Sequence, residues 1–308
     1  MKTEGGGSGN DLSSDSAALH HVGLYGGRVD TVSAEWERGT REIASLLVKL
    51  VIPAVIVNSF CVSFTVDRLR TILAATGVAA ILLALSILLA RLLFGSRPLD
   101  QFSAAFSNAG FMGLPLIRAV LGDEAVLYTV GFIALLNILQ CTYGTRLIAG
   151  GKSRIRVGDM VRNPIVMGTV IGFALFVTGM GSRLPSVLRD SLQGISGMNT
   201  PLAMLVLGVY LAREKLRTLF TTPPLYKVCF ARLLLIPLLT TAALWAMPVL
   251  PPMKLALMLV AAAPVGANVA VYAQLYDGDY AYASKSVVVS TILSPVSLSL
   301  LTAVNSVF

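Results

Sequence analysis

The sequence predicts an all-α polytopic membrane protein of two inverted helical repeats with broken crossover helices, the first helix of repeat one being absent. Three observations carry that expectation. Hydrophobic residues make up 55% of the 308 and charged residues only 13%, with a mean hydropathy of +0.77, a composition outside the soluble globular range. The apolar segments run to about twenty residues, the length that crosses a bilayer. Two of them are interrupted at corresponding places by proline, glycine and asparagine, the best pointer in a sequence to a secondary transporter's binding site.

Residues 1–40 are rich in Gly, Ser and Asp and read as a disordered tail with too few apolar residues for a core. No apolar region follows the charged start, so a signal peptide is not indicated; the GGGSG run also suits a mis-assigned start. Residues 41–148 form the first repeat, with four spans: Ile43–Phe64, which contains Pro53 and Asn58, then Leu69–Leu93, the broken span Phe102–Val120, and Ala125–Ile148. Residues 149–162 form the most basic internal loop, with Lys152, Arg154, Arg156 and Arg162 against Asp159. The positive-inside rule puts that loop in the cytoplasm and the chain in the cytoplasmic membrane. Residues 163–308 form the second repeat, with five spans at 163–181, 190–212, 225–248, 253–275 and 282–305. The basic loop Arg213–Arg217 falls on the same side by alternation. Because the net charge of +8 sits in such loops, a nucleic-acid partner is not expected.

The two halves align at a shift of about 149 residues. Pro53 falls near Pro201 and Pro115 near Pro264, with 62 residues separating the first pair of prolines along the chain and 63 the second. An odd number of spans per repeat makes the repeats run oppositely through the membrane. Under the same shift, span 163–181 maps onto residues 14–32, which are too polar to cross. The first repeat therefore lacks its opening helix, and nine spans are expected rather than ten.

The first interruption is Ser107-Asn108-Ala109-Gly110-Phe111-Met112-Gly113-Leu114-Pro115-Leu116-Ile117, and the second is Ala261–Ala270, with Pro264, Gly266 and Asn268. Proline removes an amide proton and blocks the preceding turn, and glycine opens unusual backbone conformations. In lipid the freed backbone groups must find partners, so such a break survives only inside protein or beside water. The alternative is a proline-kinked helix packed on glycines.

At these residues the chain resembles the auxin efflux carrier family, which includes plant auxin exporters and bacterial permeases for malonate and malate. The matching pieces are Lys49–Phe60, Ser107–Ile117, Asn163-Pro164, Asn199–Met204, and Ala263–Tyr276 continuing to Ser290–Ser294. Together they spread over residues 40 to 305, and the Asn108–Pro115 piece is the most specific. The resemblance implies two inverted five-helix repeats, with helices four and nine broken and crossing near the bilayer centre, and a transport domain moving against a scaffold. It implies that a substrate anion sits at Asn108, Gly110, Gly113 and Pro115 of one half and Pro264, Gly266 and Asn268 of the other, with Asn58 as a further polar contact. It also implies a homodimer, although the absent first helix belongs to the family's scaffold.

The expected partners are thus a small carboxylate and the lipid bilayer. Half-helix N-termini carry partial positive charge, and asparagine amides donate to a carboxylate without a fixed charge. The acids lie in the tail, the loops or at span ends, which weakens an ion-antiporter reading and leaves potential-driven uniport or coupling through an unseen site. Asn199 also reads as a helix cap, Arg118 and Lys285 as interfacial cations, and Tyr272, Tyr276, Tyr280 and Tyr282 as an aromatic belt. Asp277-Gly278-Asp279 reads as a turn. No cofactor is expected. His20 and His21, the only histidines, lie in the tail, and Cys61, Cys141 and Cys229 form no CxxC pair, so no metal site is expected. An intramembrane enzyme fails for want of an acid pair, a histidine, or a serine with a base. A non-transporting homologue or receptor remains the alternative to a carrier, and a channel fits broken helices less well.

Overall fold

Proline and glycine decide where the helices stop. The computed structural model describes residues 39–40, 42–150, 158, 162–213, 222–276 and 278–306, and the chain divides into two units, Met1–Ser45 and Leu46–Phe308. The described residues of the first unit are helical. In the second, a π turn at Leu47–Val51 leads into α1, Ile52–Phe60. Then follow α2 (Val66–Phe94), α3 (Pro98–Ala105), α4 (Ala109–Leu121), α5 (Asp123–Ile148), α6 (Pro164–Val177), α7 (Ser186–Gly197) and α8 (Asn199–Arg213). The chain closes with α9 (Pro223–Trp245), α10 (Pro251–Ala262), α11 (Asn268–Leu275) and α12 (Tyr280–Ser306). Proline opens α3, α6, α9 and α10, where its fixed φ suits the first turn and its missing amide proton costs nothing. Gly95 (φ 49°) and Gly122 (φ 81°) end α2 and α4 in backbone conformations that a side chain would strain.

Five helices are long and apolar enough to cross a membrane: Glu42–Phe60, Val66–Phe94, Asp123–Ile148, Pro223–Trp245 and Tyr280–Ala303. The protein is an all-α polytopic membrane protein. Of the nine spans expected, two are interrupted where the sequence places the breaks: α3 gives way to α4, and α10 to α11. Two others differ from expectation. Span 163–181 is the shorter α6, opened by Asn163, whose Oδ1 accepts from the amides of Ile165 and Val166. Span 190–212 is split into α7 and α8 at Met198. The cause is Pro201, whose ring clashes with the carbonyl four residues back, at Gly197, where α7 ends. Residues 14–32, which pair with span 163–181 in the internal alignment, lie outside the described residues. So do most of the tail, most of loop 149–162, residues 214–217 of the second basic loop, and Asp277.

Close helix packing rests on glycine. A Cβ at Gly168 of α6 would lie 3.0 Å from Pro53, and one at Gly172 would lie 2.6 Å from Phe60. The Gly168-x-x-x-Gly172 spacing puts both on one face, letting the backbones of α1 and α6 approach as small residues do in membranes. Phe60 then stacks on Phe173 and Phe176. Behind the two interruptions runs α12, whose buried face carries Ser286, Ser290, Ser294 and Ser297 at intervals of three or four residues.

Candidate functional site

The two interruptions meet. Ser107 and Val265 form an isolated antiparallel β-bridge. The Asn108 amide donates to the Pro264 carbonyl at 2.8 Å, and the Gly266 amide donates to the Phe106 carbonyl at 3.0 Å. Each break thus supplies what the other lacks, which answers how broken helices are satisfied away from water. Val265 in turn donates to Ser290 Oγ of α12 at 3.1 Å. The same helix touches α3 through Ser286 Oγ and Ser103 Oγ, 3.3 Å apart, and α4 through Ser294 Oγ, which donates to Met112 Sδ at 3.6 Å.

Four helix ends converge here: α3 and α10 end, and α4 and α11 begin. Asn108 caps α4, its Oδ1 accepting from Phe111 N at 3.3 Å while its carbonyl takes the amides of Met112 and Gly113. Its Nδ2 is buried without a hydrogen-bond partner, as is Ser107 Oγ. The start of α11 has no side-chain cap. Asn268 instead reaches across to α5, where its Nδ2 donates to Gln140 Oε1 at 2.6 Å.

Between these groups lies a cavity of about 40 Å³, lined by Asn108, Gly110, Gly266 and Asn268 with Ser107, Asn137 and Gln140 as further polar neighbours. Val48, Ile52 and Ile165 contribute to its apolar wall. At about 10–15 Å³ per water, that is room for a few waters or one carboxylate group.

Four of the eight residues singled out in the sequence therefore line the cavity, and four do not. Gly113 packs on α10, where a Cβ would lie 3.2 Å from Val260 Cγ1. Pro115 is buried in the first turn of the regular helix that follows the π turn of α4. Pro264 contributes its carbonyl to the bridge. Asn58 is half-buried six residues along α1 from Ile52, about 9 Å by helical rise. Asn199 does not cap by its side chain: it is fully buried and both its amide atoms lack a partner. Arg118 is only 16% exposed; it donates to the Ser196 carbonyl at 2.7 Å and lies 2.9 Å from Asp123. Two of the four tyrosines fail the aromatic-belt reading. The Tyr272 ring packs 5.6 Å from that of Phe102, and Tyr282 donates to Asp100 Oδ1 at 2.6 Å.

The sequence reading missed Gln140, Asn137 and Arg232. Asn137 and Gln140 are three residues apart in an apolar span, a spacing that puts both on one helix face. Arg232 is a cation within α9, only 1% exposed. Its Nε donates to the Ala263 carbonyl at 3.0 Å, its Nη1 to Ala104 at 3.1 Å and to Ala105 at 3.4 Å, and its Nη2 to Ala261. One guanidinium thus ties the end of α3 to the end of α10. An arginine inside an apolar span was the available signal.

Helices of this length and apolarity, joined through paired interruptions, make this an integral multi-pass membrane protein. The sequence model of a family described as membrane transport protein matches residues 36–159 and 157–302. The chain belongs to that family, the one that includes the auxin efflux carriers. Comparison with curated proteins gives no match.

Proposed function

We propose that this chain is a secondary carrier for small organic anions, carboxylates above all, in the cytoplasmic membrane, and that it works by alternating access at the crossover of two inverted repeats. One observation carries the reading: Asn108 spends its oxygen on capping α4, which leaves its buried Nδ2 as a donor beside the cavity. A buried donor without a partner costs about 1–3 kcal/mol, and a bound acceptor removes that cost. The first amides of α4 and α11 have no partner within their own helices, and both helices start at the cavity wall. A carboxylate there gains from amide donors and from two positive helix ends.

The test is a ligand-induced thermal shift on purified protein against a panel of mono- and dicarboxylates. Binding raises stability by an amount set by concentration over affinity. Asn108→Ala is expected to lose the shift and about 1 kcal/mol from the missing cap. Asn108→Asp keeps a capping oxygen but faces the anion with a like charge, so it is expected to fold normally and bind nothing. An Asn108→Asp protein that binds as the wild type does would end the reading. Saturable flux of the acid found, in proteoliposomes, then separates a carrier from a receptor.

A further inference from the structure

We propose that Arg232 is the fixed countercharge of the carried anion, and that the crossover therefore selects singly charged carboxylates over doubly charged or neutral ones. The proposal rests on the carrier reading above and adds to it the charge of the substrate. Arg232 stays charged at any working pH, and every acceptor it reaches is a neutral carbonyl, those of Ala104, Ala105, Ala261 and Ala263. Among the described residues no carboxylate pairs with it. The other buried charge is Asp100, four residues before Ala104 in α3 and about 6 Å along that helix. Asp100 has partners of its own, since it accepts from Tyr282 at 2.6 Å and lies 3.8 Å from Arg97. The core of the crossover is left with one net positive charge.

That charge is bound to both α3 and α10, so it travels with the interruptions whenever they move as a body. The aligned ends of the four half-helices cancel in sum, two negative and two positive, and the guanidinium remains. A charge in a low-dielectric surround is costly, and a nearby opposite charge offsets that cost far more than in water. A singly charged anion in the cavity brings the moving body to zero. A dianion leaves one negative charge and a neutral ligand leaves one positive charge. The small cavity, with room for one carboxylate group, fits the same conclusion.

The local fold shows why the arginine is aimed there. Arg232 sits in a π turn, Ala231–Leu235, closed by the Ile236 amide on the Ala231 carbonyl. Pro237 follows and cannot donate backwards, so the extra residue in the turn relieves the ladder and rotates Arg232 out of register with the rest of α9.

Malonate, its monoamide malonamate and malonamide share one skeleton and differ by one charge at each step, which makes them the probe series. Dissociation constants are measured for wild type, Arg232→Gln, Arg232→Lys and Asn108→Ala at neutral pH. Wild type is expected to bind malonamate about tenfold tighter than either neighbour, and Arg232→Gln to lose about that factor for malonamate. Arg232→Lys keeps the charge without the five-donor fork, and is expected to restore the preference at lower thermal stability. A wild type that prefers malonate, or a Gln variant with an unchanged ranking, overturns the assignment. If Arg232→Gln does not fold, the wild-type ranking and the Lys variant decide. Binding that vanishes in Asn108→Ala but ignores the charge at 232 overturns this inference and leaves the carrier reading standing. If none of the three probes binds the wild type, both fall together.

Discussion

The two interruptions are alike in backbone and unlike in side chains. Each gives one amide and takes one through the Ser107–Val265 bridge, Asn108 to Pro264 and Gly266 to Phe106. Their asparagines then diverge. Asn108 folds back onto its own helix and keeps a donor free, whereas Asn268 leaves its helix uncapped and fixes itself to Gln140 of α5. Two similar motifs have thus taken different tasks, one presenting a donor and the other tying the crossover to a continuous helix. A doubled motif predicts a doubled backbone geometry, and the side chains answer to their separate neighbours.

The largest effect expected from breaking this comparison is at Gly266. A Cβ there would lie 3.1 Å from the Ser107 carbonyl oxygen and 3.3 Å from that of Phe106. Both atoms belong to the bridge and have no rotamer to retreat into. Gly266→Val is expected to part the two interruptions, costing about 3 kcal/mol and all carboxylate-induced stabilisation. Thermal melting with and without ligand measures both, and a valine variant with the wild-type melting point would show that the bridge is dispensable.

A smaller effect is expected where Asn268 meets Gln140. Replacing both by alanine, singly and together, closes a double-mutant cycle, and the coupling is expected near 1 kcal/mol, as for a buried neutral hydrogen bond. The same cycle between Asn108 and Gln140 is expected to give nearly zero. Equal couplings in the two cycles would show that the asparagines are equivalent after all.

Much of this architecture is legible in the sequence because it is written in residues with a strong local rule. Pro264 and Gly266 stop a helix, and the long apolar runs of α2 and α12 announce themselves by length. Pro201 carries an equally strong rule, and the split between α7 and α8 follows from its clash with Gly197. What was not legible depends on π turns. Among the described residues there are four, at Leu47–Val51, Ala109–Gly113, Gln140–Gly144 and Ala231–Leu235. Each brings a residue to the crossover: Val48, Gly110, Gln140 and Arg232. One added residue per turn shifts every later side chain by about 100°, so a reading based on the 3.6-residue period aims these side chains at the wrong face. Asn58, in the regular helix of α1, carries no such break and stays away from the cavity that its composition suggested.

The smallest expected effect sharpens the comparison from the other side. Gly110 lines the cavity as Gly266 does, but the atom a Cβ would meet there, at 3.0 Å, is Cδ1 of Ile52. That is the far end of a side chain with two rotatable bonds, where Gly266 faces fixed carbonyls. Gly110 also lies in the first turn of α4, with no positive φ to protect, and alanine favours a helix over glycine by about 1 kcal/mol. The gain in helix propensity and the displacement of Ile52 are comparable and opposite in sign. Gly110→Ala is therefore expected to melt within about 1 kcal/mol of the wild type, while its methyl group takes space from the cavity and weakens the bulkier acids of a carboxylate panel more than the small ones. A uniform loss across the panel would instead mean that Gly110 serves the bridge, as Gly266 does, and that the two glycines share one role.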